Sequence, residues 1–170
     1  MTTQKIAYAA SVAVFGSTDL DSLASSSTWL AGWESAVIDN TTNLYVDALL
    51  AGRFKANNTA PTAGQIQVWV GAILNDTPTY PDVLDGTGSA ETITSADIRN
   101  SIMKLAAVIV TDTTANRVYE FSPVSVAQLF GGIMPNKWFV FVTHSMVQAL
   151  NTTASAGGQC WYTGITYTSA

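Results

Sequence analysis

The sequence predicts an all-β protein: an antiparallel β-sandwich of jelly-roll type, with about eight strands and one short helical segment near 124–130. Three observations predict it. The apolar stretches are rich in Val, Ile, Thr, Tyr, Phe and Trp, side chains that fit a pleated, half-buried surface better than a helix. Several stretches alternate apolar with polar residues, the period-two pattern of a sheet with one face in a core. Clusters of Gly, Pro, Asn, Asp, Ser and Thr separate them at short intervals, as in sandwiches and barrels. No fixed-period repeat points to a solenoid or propeller, and no composition break marks a linker.

Ile6 to Phe15 reads as the first strand, with Ile6, Tyr8, Ala10, Val12 and Val14 on one side. Gly16 to Ser27 is a polar connection. Together, residues 1–27 are expected to form an N-terminal segment or arm, and 28–170 a single domain. Trp29 to Ile38 is a second candidate strand. Asp39 to Asn43 is a turn, because Asx and Thr side chains bond the local backbone. Leu44 to Phe54 alternates, with Leu44, Val46, Ala48 and Leu50 facing one way. Ile66 to Leu74 places Ile66, Val68, Val70, Ala72 and Leu74 inward and leaves Gln65, Gln67 and Trp69 on the opposite face.

Asn75 to Ala96 is the longest connection, and a loop of that length is usually functional or interface-forming. Ile102 to Thr111 is apolar on both parities, which predicts a central strand covered on both faces. Asp112 to Asn116 is a turn and Val118 to Phe121 a short strand. Pro123 opens a segment, Val124 to Phe130, that suits one or two helical turns before Gly131 and Gly132. Trp138 to Val142 is apolar on both faces and ends at Thr143 and His144. Asn151 to Gly158 is a small-residue turn. Cys160 to Tyr167 closes the chain, with Trp161, Ile165 and Tyr167 on one face.

Composition excludes several function classes. Net charge is −5, and seven scattered Lys and Arg supply no basic stripe for phosphates, so no nucleic-acid partner is expected. No apolar run is long enough for a transmembrane helix, so no membrane partner is expected either. With one Cys and one His, an intramolecular disulfide and multi-Cys or multi-His metal sites are excluded. Charged residues are only 11% of the chain. Its surface must therefore be built from Ser, Thr, Asn, Gln and Ala, which lose little solvation on contact with a neighbour.

Residues that could carry chemistry are few. His144 is the only imidazole base, and pairing with Cys160 is the one nucleophile–base arrangement the residue types allow. Asp19 with Asp21, or Asp82 with Asp85, are carboxylate pairs by type, all in turn contexts. Asp82 to Ser89 is oxygen-rich but lacks the ordered spacing of an EF-hand loop. No catalytic, cofactor-binding or metal residues are therefore assigned, no cofactor is expected, and the chain is read as a non-enzyme. Aromatic faces can stack on sugars or fill a subunit interface. Trp29, Trp33 and Trp69 are the candidate contacts with a partner or ligand, Trp69 first because it opposes the apolar face of its strand.

Two longer stretches are more specific. Glu34 to Leu49 (ESAVIDNTTNLYVDAL) and Pro123 to Trp138 (PVSVAQLFGGIMPNKW), with Pro61 to Gly64 before Val68-Trp69-Val70, resemble small head-associated virion proteins of tailed bacteriophages. The resemblance runs from about residue 30 to the C-terminus and leaves Met1 to Ser27 outside it. It implies a structural protein that decorates and cements the outer capsid surface by binding the major capsid protein, and it carries over no catalytic residue. Symmetric self-association as a dimer or trimer is expected alongside. The alternative is a tail or fibre β-sandwich module that binds a host carbohydrate or receptor.

Overall fold

The computed structural model describes residues 3–75, 77, 79–152 and 158–169, so most of the expected turn from Asn151 to Gly158 lies outside the described residues. In chain order the elements are β1 (Gln4–Tyr8), β2 (Val12–Ala13), β3 (Ala31–Glu34), β4 (Ile38–Asp39), β5 (Asp47–Lys55), β6 (Gly64–Ala72) and β7 (Ala90–Thr92). They continue with α1 (Ala96–Ile102), β8 (Met103–Thr111), β9 (Val118–Ser125), α2 (Val126–Leu129), β10 (Lys137–His144) and β11 (Gly158–Ser169). The expected all-β, two-sheet antiparallel architecture is present. One sheet runs β1-β11-β5-β9, with β2 also on β11; the other runs β7-β3-β10-β6-β8, with β4 on β10.

The pairings nest. β1 pairs with β11, β3 with β10, β5 with β9 and β6 with β8, all antiparallel. This is the order produced when one long hairpin rolls up on itself. Between the sheets, Ala48, Leu50, Phe54, Cys160 and Tyr162 meet Ile66, Val68, Val70, Trp138, Val140 and Val142. The Trp138 and Tyr162 rings meet edge-on, 5.4 Å between centroids, and tie one sheet to the other.

The second sheet has another apolar layer on its far side. Trp69, Phe139 and Phe141 point away from the inter-sheet core and are covered by Leu84, Ile93 and Met103, with Tyr80, Ile98 and Ile102 around them. This explains why β10 is apolar on both parities: Trp138, Val140 and Val142 fill one core, Phe139 and Phe141 the other, and all five are fully buried. The same pattern in Ile102 to Thr111 led to the opposite outcome. The strand β8 lies at the edge of its sheet, and Leu105, Val108 and Val110 are 42%, 45% and 74% exposed. Two-sided apolarity marks a strand that can be covered twice; neighbouring elements decide whether it is.

Other expectations need correction. The N-terminal arm is, over its described residues, part of the sandwich. β1 and β2 pair with β11, and Val14, Phe15, Leu20 and Leu23 enter the inter-sheet core. Four apolar side chains gain more by burial there than by reaching into solvent. Trp29 to Ile38 is not one strand: Ser35 interrupts it, its amide bonding Val140 O at 2.8 Å and its hydroxyl accepting from Val140 N at 3.0 Å. Leu44 and Val46 do not join the inward face of β5. The Asn40 side chain brackets Tyr45, and Leu44 takes φ +52°, so both side chains precede the strand and face solvent.

The helix α1 was not expected, although Ser95 caps it by accepting from Ile98 N and Asp97 stands in its first turn. The helix α2 forms where expected. Ser125 Oγ accepts from Gln128 N and the Asp47 carboxylate from Ala127 N. Gly131 and Gly132, at φ +75° and +90°, then end it.

Close strand packing makes Gly32 sensitive. A Cβ there would sit 2.4 Å from the Val142 carbonyl oxygen and 2.5 Å from the Phe141 ring. Because the first obstacle is backbone of β10, Gly32→Ala is expected to cost about 1–3 kcal/mol. Urea denaturation of the variant beside the wild type checks this; an unchanged midpoint would contradict the packing described.

Candidate functional site

None of the three tryptophans singled out from sequence forms an open platform. Trp69 is buried, with its indole N–H donating to Gln67 Oε1 at 3.2 Å. The Arg99 guanidinium lies over its ring, 4.5 Å from the centroid, and donates to the Trp29 carbonyl at 2.9 Å. Trp69 is therefore a support for α1 and the residue 28–30 turn. Sequence parity placed it correctly on the face away from the inter-sheet core; it could not reveal that a further layer covers that face. Trp29 is half-buried at a positive φ, and Trp33 is half-buried against the inter-sheet core. The indole N–H of each is buried and meets no described hydrogen-bond partner. Trp33 also lines a cleft of about 300 Å3 with Asp21, Leu23 and Glu91.

His144 is fully buried at the end of β10, and both ring nitrogens are engaged by backbone. Nε2 lies 2.8 Å from the Leu23 carbonyl and Nδ1 3.4 Å from Met146 N. With Nε2 donating and Nδ1 accepting, the ring is neutral, and burial pushes its pKa down against the opposing pull of the Leu23 carbonyl. It ties the N-terminal segment to β10. Burial likewise pushes the Cys160 thiol up, away from the reactive thiolate.

The long connection is tied down by carboxylates. Asp82 accepts from the Thr94 amide and hydroxyl at 2.8 and 2.7 Å. Asp85 accepts from the Thr87 amide and hydroxyl at 2.9 and 2.6 Å. Glu34, fully buried beside Phe141, accepts from the successive amides of Asp85 and Gly86 at 3.1 and 3.0 Å. Glu34, Asp85 and Glu91 each bring a carboxylate oxygen to within 4.8 Å of the others. Burial raises the Glu34 pKa, the two amides oppose that shift, and the charges of Asp85 and Glu91 raise it further. The oxygen-rich stretch Asp82 to Ser89 thus uses its carboxylates to fasten the layer over the second sheet.

Among the described residues, no such layer covers the first sheet. The register aligns Ile6 with Tyr167 and Tyr8 with Ile165. It also aligns Asp47 with Ile165, Leu49 with Thr163 and Ala51 with Trp161. Paired residues share a face, so these side chains form one outward surface, with Ile6, Tyr8 and Tyr167 each about 60% exposed (59%, 64% and 59%). Part of it is a groove of about 520 Å3 lined by Ser11, Leu49, Ala51, Pro123, Trp161 and Thr163. Arg53 lies at 6.0 Å from the Trp161 ring, and Ser11 and Thr163 join hydroxyls at 2.7 Å. The parities of Ile6 with Tyr8 and of Trp161 with Ile165 and Tyr167 were visible in the sequence. That they merge into one uncovered face follows from the pairing of the chain's two ends.

No family model, no curated protein and no solved structure matches this chain.

Glu34 gives a signed pH dependence. Its folded pKa is raised above the ordinary value near 4.5. Its contribution is therefore fully present below that value and is lost as pH rises through the folded pKa. Glu34→Gln carries no charge at any pH. Its stability relative to wild type is expected to be more favourable at neutral pH than at pH ~4, compared by urea denaturation. A pH-independent difference would remove Glu34 as the source.

Proposed function

We propose that this protein is a structural component of a bacteriophage particle, a jelly-roll sandwich that decorates and cements the outer capsid surface by binding major capsid subunits. The nested strand pairing supports the jelly-roll reading. The observation that carries the binding role is the bare outer face of the first sheet. Ile6, Tyr8, Ile165 and Tyr167 form an apolar patch that a free-standing domain gains nothing by exposing. The opposite sheet buries its own far-side aromatics, so the exposure is selective. The function is binding, with no chemical step. A protein that binds only the assembled lattice stabilises it by linkage, and many copies add avidity to weak contacts.

Tyr8→Asp with Tyr167→Asp is expected to fold, because both side chains are solvent-facing, and to stop co-sedimenting with mature capsids that the wild type coats. Electron cryomicroscopy of coated particles should place the first sheet against the capsid. Density only at a tail tip or fibre would overturn this reading.

A second reading has its own observation, the Trp161 groove. An indole beside Arg53, with the Ser11 and Thr163 hydroxyls at its rim, has the aromatic face and donors that a sugar ring uses. This moves the carbohydrate-binding alternative from Trp69 to Trp161. On a glycan array the wild type would then bind a defined sugar and Trp161→Ala would lose it; an array with no wild-type signal removes this reading.

A further inference from the structure

His144 is the chain's only histidine and shares the inward parity of Trp138, Val140 and Val142, so it closes one end of the inter-sheet core. Its main chain and its ring both hold other segments. The His144 carbonyl accepts from Ser26 N at 2.7 Å, and the ring bonds the Leu23 carbonyl and Met146 N. The Leu23 carbonyl also accepts from Leu150 N at 3.0 Å, Ser22 N donates to the Asn151 carbonyl at 3.3 Å, and Ser25 Oγ accepts from Val147 N at 3.0 Å. Residues 22–26 and 144–151 are thus clasped around one imidazole. The clasp is strained. Gln148 N donates to the Met146 carbonyl two residues back, at 2.8 Å, with Val147 between them at φ +67°. That is a γ-turn of the rare hand, a conformation that a β-branched residue strongly disfavours. Burial does not hold Val147 there, because its side chain is 65% exposed. The bonds to Ser25 and, through Met146, to the imidazole do.

We propose that His144 is the pin of an acid-released clasp: its neutral ring holds residues 22–26 against 144–151, and a proton on Nδ1 lets the two segments part. The neutral ring donates from Nε2 to Leu23 and accepts at Nδ1 from Met146. A protonated ring has two donors and no acceptor, so Nδ1–H and Met146 N–H would face each other, and a charge would sit among buried apolar side chains. The neighbouring elements offer that charge little. β6 and residues 145–150 carry no charged residue. On β5, Arg53 and Lys55 have the outward parity. Glu34 of β3 pairs with Phe141 on the opposite face, and Lys137, at the far end of β10, pairs with Asp39. In the N-terminal segment, Asp19 accepts from Gly16 N, which leaves Asp21, two residues from Leu23, as the carboxylate to test. Burial holds the ring's pKa below 6.5, so the clasp is fully present above that value and is lost as pH falls through the folded pKa. The Glu34 contribution has the opposite sign, which keeps the two apart. Asp21 to Ala24 also form one wall of the cleft that Trp33 lines, so release opens that cleft. The inference holds whether or not the capsid reading does.

Hydrogen exchange of the full chain at pH ~7.5 and pH ~5, with intrinsic rates divided out, tests it. At the lower pH the amides of Ser22, Ser26, Met146, Val147 and Leu150 are expected to lose about tenfold or more of their protection, while β6 and β11 amides keep theirs. Nuclear magnetic resonance of the ring, unambiguous with one histidine, should show the Nε2–H tautomer at the higher pH and protonation in step with that loss. His144→Gln supplies an amide that donates to Leu23 and accepts from Met146 at every pH, so its clasp is expected to lose nothing at pH ~5. Asp21→Asn is expected to respond as the wild type does. Equal clasp protection at the two pH values overturns the proposal. A response that persists in His144→Gln, or vanishes in Asp21→Asn, overturns it by moving the proton to another group. Loss across β6 and β11 together overturns it as well, since that is global acid unfolding. Should His144→Gln misfold, ring protonation out of step with clasp exchange overturns it on the wild type alone.

Discussion

The structure depends on β10 being buried on both faces. A strand in that position cannot use polar side chains on either parity, and Trp138 to Val142 supplies five large apolar residues without a break. One parity forms the core between the sheets, where Trp138 reaches Tyr162. The other parity creates an obligation. Phe139 and Phe141 would face water unless a further layer covered them, so the long connection and α1 fold over the second sheet. At about 25 cal/mol per Å2 of apolar surface, leaving two Phe rings exposed would cost several kcal/mol, a large share of a typical domain's net stability.

The covering layer explains where the protein places its scarce charge. Only 11% of residues are charged, yet several of them hold this layer in place. Glu34 grips the amides of Asp85 and Gly86, Asp82 grips Thr94, and Arg99 lies on Trp69 while bonding the Trp29 carbonyl. Glu34 and Arg99 are buried, and buried charge is costly unless hydrogen-bonded; both have partners. Glu34 is the most exposed to that cost, since two neighbouring carboxylates oppose its ionisation. The price of covering β10 is therefore a cluster of like charges over an otherwise apolar layer.

The two sheets end up unlike. The second hides its far-side aromatics; the first leaves Ile6, Tyr8 and Tyr167 in solvent and carries the Trp161 groove. The bare face of the first sheet, together with a surface whose Ser, Thr and Asn lose little on contact, is the ground of the proposed binding role.

The sequence by itself determined the fold class. Period-two alternation in β5 and β6, turn chemistry at Asp39 to Asn43 and the apolar run of β10 each arise from local stereochemistry and needed no partner to be read. The short helix α2 was legible for the same reason, from its stop at Gly131 and Gly132. Coverage was not legible, because it is a property of neighbours. Ile102 to Thr111 and Trp138 to Val142 have the same two-sided apolarity, and only the strand order makes one an edge and the other a centre. Trp69 was correctly placed opposite the inter-sheet core but lies beneath Arg99, because residues thirty positions downstream fold across it. Residues 1–27 read as a separate arm, yet long-range pairing with β11, at the far end of the chain, draws their described part into the sandwich and creates the bare face on which the functional proposal rests.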